Sequence, residues 1–155
     1  MCVNLVKGSG KIVELQGVIS NIPQIKTPNN LVGLITSVCT INLTEHEVFL
    51  VSQSLHALGK QIANDGITNL RKVDMIFTPN GKVELSKVNG PIGNYTAICI
   101  YNVGKWRRLY GEDTRTILTI ILEELCHHFY TEDEELVDNA VLNVMKNIIP
   151  SISLN

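Results

Sequence analysis

Apolar residues recur at helical spacing after a capping box at Thr44, a threonine that is followed three residues later by Glu47. The apolar stripe that follows consists of Val48, Leu55, Leu58 and Ile62. Asp65-Gly66 provides a stop signal beyond the stripe. The pattern therefore predicts a first helix that begins near Thr44 and ends near Asp65.

Two more helical patterns occupy the last third of the chain. The first covers about residues 113–129. The second opens with another threonine-to-glutamate capping box, Thr131 to Glu134, and continues to about residue 149. Pro150 forbids continuation, because proline lacks the amide proton that a helix interior needs.

Between the first and second helical patterns the chain has the composition of strands. Residues 73–77 and 82–88 flank Pro79-Asn80-Gly81, and Asn-Gly is a strong hairpin signal, so these two runs are predicted to pair. Residues 95–101 form a third run with an unbroken apolar centre. Strands in a block followed by helices predict an α+β fold, with a helix, a small antiparallel or mixed sheet and two C-terminal helices.

The first part of the chain has a different pattern. Residues 11–19 favour a strand, residues 23–30 form a loop with two prolines and paired asparagines, and residues 31–43 favour extended structure. We therefore predict an N-terminal β-rich extension over residues 1–42, followed by one α+β domain over residues 43–155.

Composition restricts the class of protein. The chain has 155 residues, 45% of them hydrophobic, and a formal net charge of −2, which argues against a basic nucleic-acid binder and a disordered acidic tail. It has no apolar run of membrane-spanning length and no signal-peptide pattern, so we expect a cytoplasmic protein without a membrane partner. The four cysteines are widely spaced, which favours structural thiols over disulfides. No feature predicts the oligomeric state.

The candidate chemistry lies in the second helical pattern, where two glutamates and two histidines fall within six residues. At about 100° per residue, Glu124 and His128 project into the apolar arc of the helix, whereas Glu123 and His127 lie on its margin. A buried unpaired carboxylate costs several kcal/mol, so it has to be paired, protonated or bound to a cation.

Two interpretations of this cluster are open. Glu123 with His127, and Glu124 with His128, are both separated by four residues, so each pair could place a carboxylate oxygen and an imidazole nitrogen on one zinc or iron(II) ion. The same spacing also suits simple carboxylate–imidazolium pairs on a half-exposed face.

Glu123-Glu124-Leu125-Cys126-His127 resembles the His-Glu-x-x-His signature of zincin metallopeptidases, with glutamate in place of the first histidine. The predicted order of helix, sheet and motif helix is similar to that of zincin domains over residues 44–149. Small prophage and bacterial members of that group often continue from the motif into an aromatic and acidic stretch, as residues 128–135 do here.

The resemblance implies roles for individual residues. His127 would be a zinc ligand, Glu123 would occupy the place of the missing histidine, and Glu124 would be the general base toward a zinc-bound water. An acidic residue of the next helix would be the third ligand, with Glu134 preferred over the other candidates. These other candidates are Glu135 and Asp138.

The implied function is that of a divergent or inactive zincin-like peptidase, which, if active, would hydrolyse a peptide or protein with the help of zinc. The substitution of the first histidine leaves a second class open: a non-catalytic, phage-derived binding or assembly protein without a metal. In that protein, Glu124 and His128 would form a buried pair. Metal content separates the two classes.

Residues 105–110 form a basic and aromatic cluster, Lys-Trp-Arg-Arg-Leu-Tyr. Such a cluster could bind single-stranded nucleic acid by stacking and phosphate contacts. With only three cations in the segment, we favour a connecting loop that Trp106 and Tyr110 anchor, and we expect no nucleic-acid partner.

Overall fold

The computed structural model describes residues 2–5, 11–16, 24–82, 84–89 and 96–148, with side chains described for residues 24–82 and 97–148. The strands are β1 (Cys2–Leu5), β2 (Lys11–Gln16), β3 (Ile35–Cys39), β4 (Val73–Thr78), β5 (Glu84–Asn89) and β6 (Thr96–Asn102). The helices are α1 (Glu45–Asp65), the short α2 (Val103–Lys105), α3 (Thr114–Phe129) and α4 (Glu134–Met145). The predicted α+β class is confirmed.

Four of these strands form one sheet in the order β1-β6-β4-β3. Strands β3, β4 and β6 run parallel to one another, and β1 pairs antiparallel with β6 at the edge. Parallel neighbours need a crossover connection, and α1 supplies it between β3 and β4. The first helix therefore lies within a β-α-β unit, whereas the sequence predicted it ahead of the whole sheet.

The predicted hairpin between residues 73–77 and 82–88 is wrong. The Asn80-Gly81 turn does form, with Gly81 at φ +75° and its amide donating to the Thr78 hydroxyl. The chain that leaves this turn does not return along β4, however, because β5 pairs antiparallel with β2 in a separate two-stranded sheet. Both long edges of β4 are already occupied, by β3 and β6.

The predicted N-terminal extension contributes strands to the sheet of the predicted domain. Strand β1 pairs with β6, and β3 pairs with β4. Of the predicted extended run at residues 31–43, only β3 is a strand, and a single 3₁₀ turn precedes it at Asn29–Leu31. Strand β1 was not predicted from the sequence. Parts of the predicted run at residues 11–19 and of the loop at residues 23–30 lie outside the described residues.

The predicted first helix is confirmed in its caps as well as in its length. Both hydrogen bonds of the capping box are present: the Thr44 hydroxyl accepts from the Glu47 amide, and the Glu47 carboxylate accepts from the Thr44 amide. At the other end, Gly66 adopts a left-handed conformation at φ +66°. Glycine suits this position, because a β-carbon there would add strain.

The two C-terminal helices are also confirmed, but the second begins differently from the prediction. Asp133 is the N-cap of α4 and accepts from the amide of Glu135, while the Thr131 hydroxyl accepts from the amide of Asp133. The predicted capping box from Thr131 to Glu134 is therefore wrong. The turn between α3 and α4 is short, so the two helices form an antiparallel hairpin.

The core lies between the sheet and the helices. Helix α3 packs against β1 and β6 and also contacts α1 and α4. Its buried side chains include Ile117, Leu118, Ile121, Leu122, Leu125 and Cys126. The Tyr101 hydroxyl of β6 donates to the Ile121 carbonyl of α3 at 3.0 Å, which fixes the position of α3 along the sheet.

The connecting loop predicted at residues 105–110 is helical. It contains α2 and a π-helical turn at Trp106–Tyr110. Trp106 is 2% exposed and packs edge-on against Phe77 and Tyr101, so its ring is not available to stack on a base. In the described part of the chain, no helix combines the length and apolar character needed to cross a bilayer.

Candidate metal centre

Three side chains from two helices converge at the α3–α4 turn. Glu123 and His127 lie one turn apart on α3, and Glu134 is the first residue of α4. One possible ligand atom from each of them lies within 4.8 Å of the other two. This cluster could hold a metal ion, and its members are the three residues that the zincin resemblance implied as ligands.

The orientation of His127 suits a metal ligand. Its Nδ1 lies 3.1 Å from the carbonyl oxygen of Thr131, which accepts a hydrogen bond but cannot donate one. Nδ1 therefore carries the proton, and in the neutral ring Nε2 presents its lone pair. Histidine ligands of metals commonly have this arrangement, in which a backbone carbonyl fixes the tautomer and ring orientation.

The distance on the other side of the ring fits a shared ion. His127 Nε2 lies 3.4 Å from Oε2 of Glu134. Two ligand atoms at about 2.1 Å from a tetrahedral zinc are separated by about 3.4 Å. A lone pair that faces a carboxylate at this distance is repulsive unless a proton or a metal cation lies between the two atoms.

The charge around the cluster is strongly negative. Burial raises the pKa of Glu123 above its ordinary value. The charges of Glu124 and Glu134 raise this pKa further, Asp138 adds a smaller effect, and only His127 opposes them. Within the described residues, neither Glu123 nor Glu134 forms an ion pair with lysine or arginine. A divalent cation would relieve this repulsion.

Glu124, the predicted general base, is half-buried on α3 beside the cluster. Its backbone carbonyl lies 3.7 Å from the Cys99 thiol of β6, so the backbone of this turn faces the sheet. The charge of Glu124 raises the pKa of the neighbouring Glu123 carboxylate.

His128 lies apart from the cluster. It is 7% exposed, its ring contacts that of Phe129, and its Nε2 donates to the Arg71 carbonyl at 2.9 Å. Its Nδ1 has no hydrogen-bond partner in the described part of the chain. The predicted burial of His128 is confirmed, but the buried pair of Glu124 with His128 is not formed.

The other predicted acidic candidates differ in position. Asp138 lies one turn after Glu134 and is close enough to act on Glu123, although it is not in the three-residue cluster. Glu135 is exposed and is not in the cluster either. Glu134 is itself 80% exposed at the start of α4, where an acidic residue also stabilises the helix dipole without a metal.

Sequence reasoning missed two backbone groups that orient the histidines. The Thr131 carbonyl fixes His127, and the Arg71 carbonyl fixes His128. Every residue has a carbonyl, so no residue type signals this role. The Thr131 carbonyl reaches the His127 ring because of the path of the chain after α3, and the Arg71 carbonyl reaches the His128 ring because of its path before β4.

The nearby thiol is not a nucleophile. Burial raises the pKa of Cys126 to about 12, so the thiol stays protonated at neutral pH. The cysteines whose side chains are described, Cys39, Cys99 and Cys126, are buried. Cys2 lies outside the described side chains.

Comparison with protein-family models, with curated proteins and with solved structures gives no match.

Proposed function

We propose that this chain is a divergent, zincin-like, metal-dependent peptidase. Glu123, His127 and Glu134 would hold zinc, and Glu124 would be the general base. The observation that carries the proposal is the geometry of His127, with Nδ1 fixed by the Thr131 carbonyl and Nε2 facing the Glu134 carboxylate at 3.4 Å.

A proton on Nε2 would turn that contact into an ordinary ion pair, but one proton balances only one negative charge. Negative charge is concentrated here, because burial and the charges of Glu124, Glu134 and Asp138 all raise the pKa of Glu123. A divalent ion balances two charges, and mixed imidazole and carboxylate ligands suit zinc. The donor set therefore favours a divalent cation over a proton.

Three protein ligands leave a coordination position open, which is typical of catalytic zinc sites. Zinc supplies a Lewis acid that lowers the pKa of water at that position. Glu124 lies beside the cluster and, when ionised, can accept a proton from water. Two carboxylate ligands neutralise the charge of the ion, so we expect slower hydrolysis than at a site with two histidines and one glutamate.

A second class of function, a non-catalytic binding protein without a metal, is supported by one observation. Glu134 is highly exposed in the first turn of α4, where its charge is favourable without any ion. In that case His127 and Glu134 are a partly exposed ion pair, and they contribute little stability.

Activity of the full chain tests the proposed peptidase. We expect the protein, stripped by a chelator and reloaded with one equivalent of zinc, to cleave quenched fluorescent peptides, and the stripped protein not to cleave them. Glu124→Gln should lower the rate by at least about a hundredfold, because it removes the base, and should still bind zinc.

The matched control is Glu135→Gln, an exposed glutamate on the adjacent helix that lies outside the cluster. This variant should keep full activity. The proposed peptidase is contradicted if the zinc-loaded protein cleaves no peptide in a broad mixture, or if Glu124→Gln cleaves as fast as the unmodified chain.

A further inference from the structure

A groove lies between α3 and α4 and extends away from the cluster. It has a volume of about 350 Å³, within the size range of small-ligand sites. Asp138 lines it near the cluster, Val141, Leu142 and Met145 provide an apolar wall, and Arg115 and Lys146 line its far end.

The groove follows from the spacing of residues on the two antiparallel helices. Arg115 precedes Glu123 by eight residues, and Lys146 follows Asp138 by eight residues. At 1.5 Å per residue, Arg115 lies about 12 Å along α3 from Glu123, and Lys146 lies about 12 Å along α4 from Asp138. The groove is therefore acidic at one end, apolar along its middle and basic at the other end.

Both basic side chains are available to a ligand. In the part of the chain that the structure describes, neither Arg115 nor Lys146 forms an ion pair, and the Lys146 ammonium only reaches the Asn143 side chain at 3.5 Å. Leu142 is 60% exposed beside them. These groups could contact a ligand that is both apolar and anionic.

We propose that this groove binds a short peptide segment that carries an apolar side chain and, beyond it, a carboxylate. This inference rests on the proposed peptidase function and names its substrate class. The apolar side chain would lie on Val141, Leu142 and Met145, and Arg115 and Lys146 would bind the carboxylate.

The length and the charge of the groove define the peptide. An extended chain advances about 3.3–3.6 Å per residue, so a span of about 12 Å places the carboxylate three to four residues from the peptide bond at the cluster. The acidic end repels a carboxylate, so the peptide would bind in one direction only. A chain end or an acidic side chain could supply the same carboxylate.

Binding of tetrapeptides tests this proposal without any need for activity. The probes carry an amino-terminal fluorophore and leucine at the third position, and they end in a free carboxylate, in an amide, or in glutamate with an amide. Fluorescence anisotropy in the presence of a chelator should show binding about three- to tenfold tighter for a carboxylate than for the plain amide. This preference should weaken with added salt.

The double variant R115Q/K146Q should lose that preference, while the control R108Q/K60Q, which removes two exposed cations elsewhere, should keep it. Leu142→Asp should weaken the binding of all three probes. If only the probe with the free carboxylate binds more tightly than the plain amide, the groove recognises the carboxylate of a chain end. If the glutamate probe binds equally tightly, the groove also recognises acidic side chains. Equal binding of all probes, or an unchanged preference in R115Q/K146Q, would overturn the proposal.

A parallel zinc titration separates this proposal from the proposed function. If the peptide preference is present but zinc does not bind, the peptidase fails and the groove still binds peptides. If zinc binds but the preference is absent, the groove proposal alone fails.

Discussion

The charge of the Glu123 carboxylate has opposite effects in the metal-free and the metal-bound protein. Without a cation, its half-buried carboxylate lies beside other carboxylates, so its pKa is raised and its charge is unfavourable at neutral pH. With a cation bound, the same charge becomes a ligand. A side chain that destabilises the metal-free protein but stabilises the metal-bound protein is typical of functional sites.

Glu123→Gln should therefore stabilise the metal-free protein and weaken zinc binding. The gain at pH 7 is expected to be below about 1 kcal/mol, because solvent screens this partly exposed group. A raised pKa means that the unfavourable charge is present above that pKa and disappears as the pH falls through it. Urea unfolding at pH 7.5 and pH 4 should show the gain only at the higher pH. A variant that is less stable at both pH values would contradict this account.

The sequence predicted Glu123 and His127 as neighbours because a spacing of four residues on a helix places side chains on one face. Its preference for Glu134 over Glu135 and Asp138 could not be derived from spacing, since the packing of α4 against α3 selects the residue that reaches the cluster. It also paired Glu124 with His128 from the same spacing, but a backbone carbonyl of Arg71 binds His128 instead.

Among the elements, α1 and the π-helical turn at Trp106–Tyr110 are held together by one ion pair. Arg107 donates from Nε and Nη2 to the two carboxylate oxygens of Glu47, at 3.0 and 2.7 Å, and from Nη2 to the Asn42 carbonyl. Burial would raise the pKa of Glu47, but hydrogen bonds from Arg107 and Thr44 outweigh it and lower that pKa below its ordinary value.

Arg107→Leu should destabilise the protein by about 1–3 kcal/mol at pH 7, because it leaves the largely buried Glu47 carboxylate without its cation. A lowered pKa contributes stability above the unfolded-state pKa, and this contribution is lost as the pH falls through the folded-state pKa. Chemical unfolding should therefore show a cost that shrinks below about pH 4. The exposed neighbour provides the control: Arg108→Leu should change stability by no more than about 0.5 kcal/mol. Equal costs for both variants would be evidence against the pair.

The helices, whose sequence signals are local, were predicted well. The pairing of the strands, which depends on residues far apart in the chain, was predicted poorly. The capping box at Thr44 and the apolar stripes located α1, α3 and α4 to within a few residues. The Asn80-Gly81 turn was also local and is present, but the partner of the following strand is not encoded in the turn. Strand β4 is central and pairs on both edges, and this depends on distant residues of β3 and β6.

For the whole molecule, the α3–α4 hairpin that carries the site packs against the sheet and α1. Hydrogen bonds fix α3 to the sheet at Tyr101 and to the segment before β4 at Arg71. The cluster joins α3 to α4 at their turn. Zinc that binds only the folded chain should stabilise it, by about 2.7 kcal/mol at a free concentration of one hundred times its Kd.

Zinc titration by calorimetry of the purified full chain at pH 7.5 tests the central claim most directly. We predict one zinc per chain, with binding lost in His127→Ala and retained in His46→Ala, a substitution of an exposed histidine on α1. Absence of zinc binding to the unmodified chain, or equal binding by the two alanine variants, would contradict the claim that Glu123, His127 and Glu134 form a metal centre.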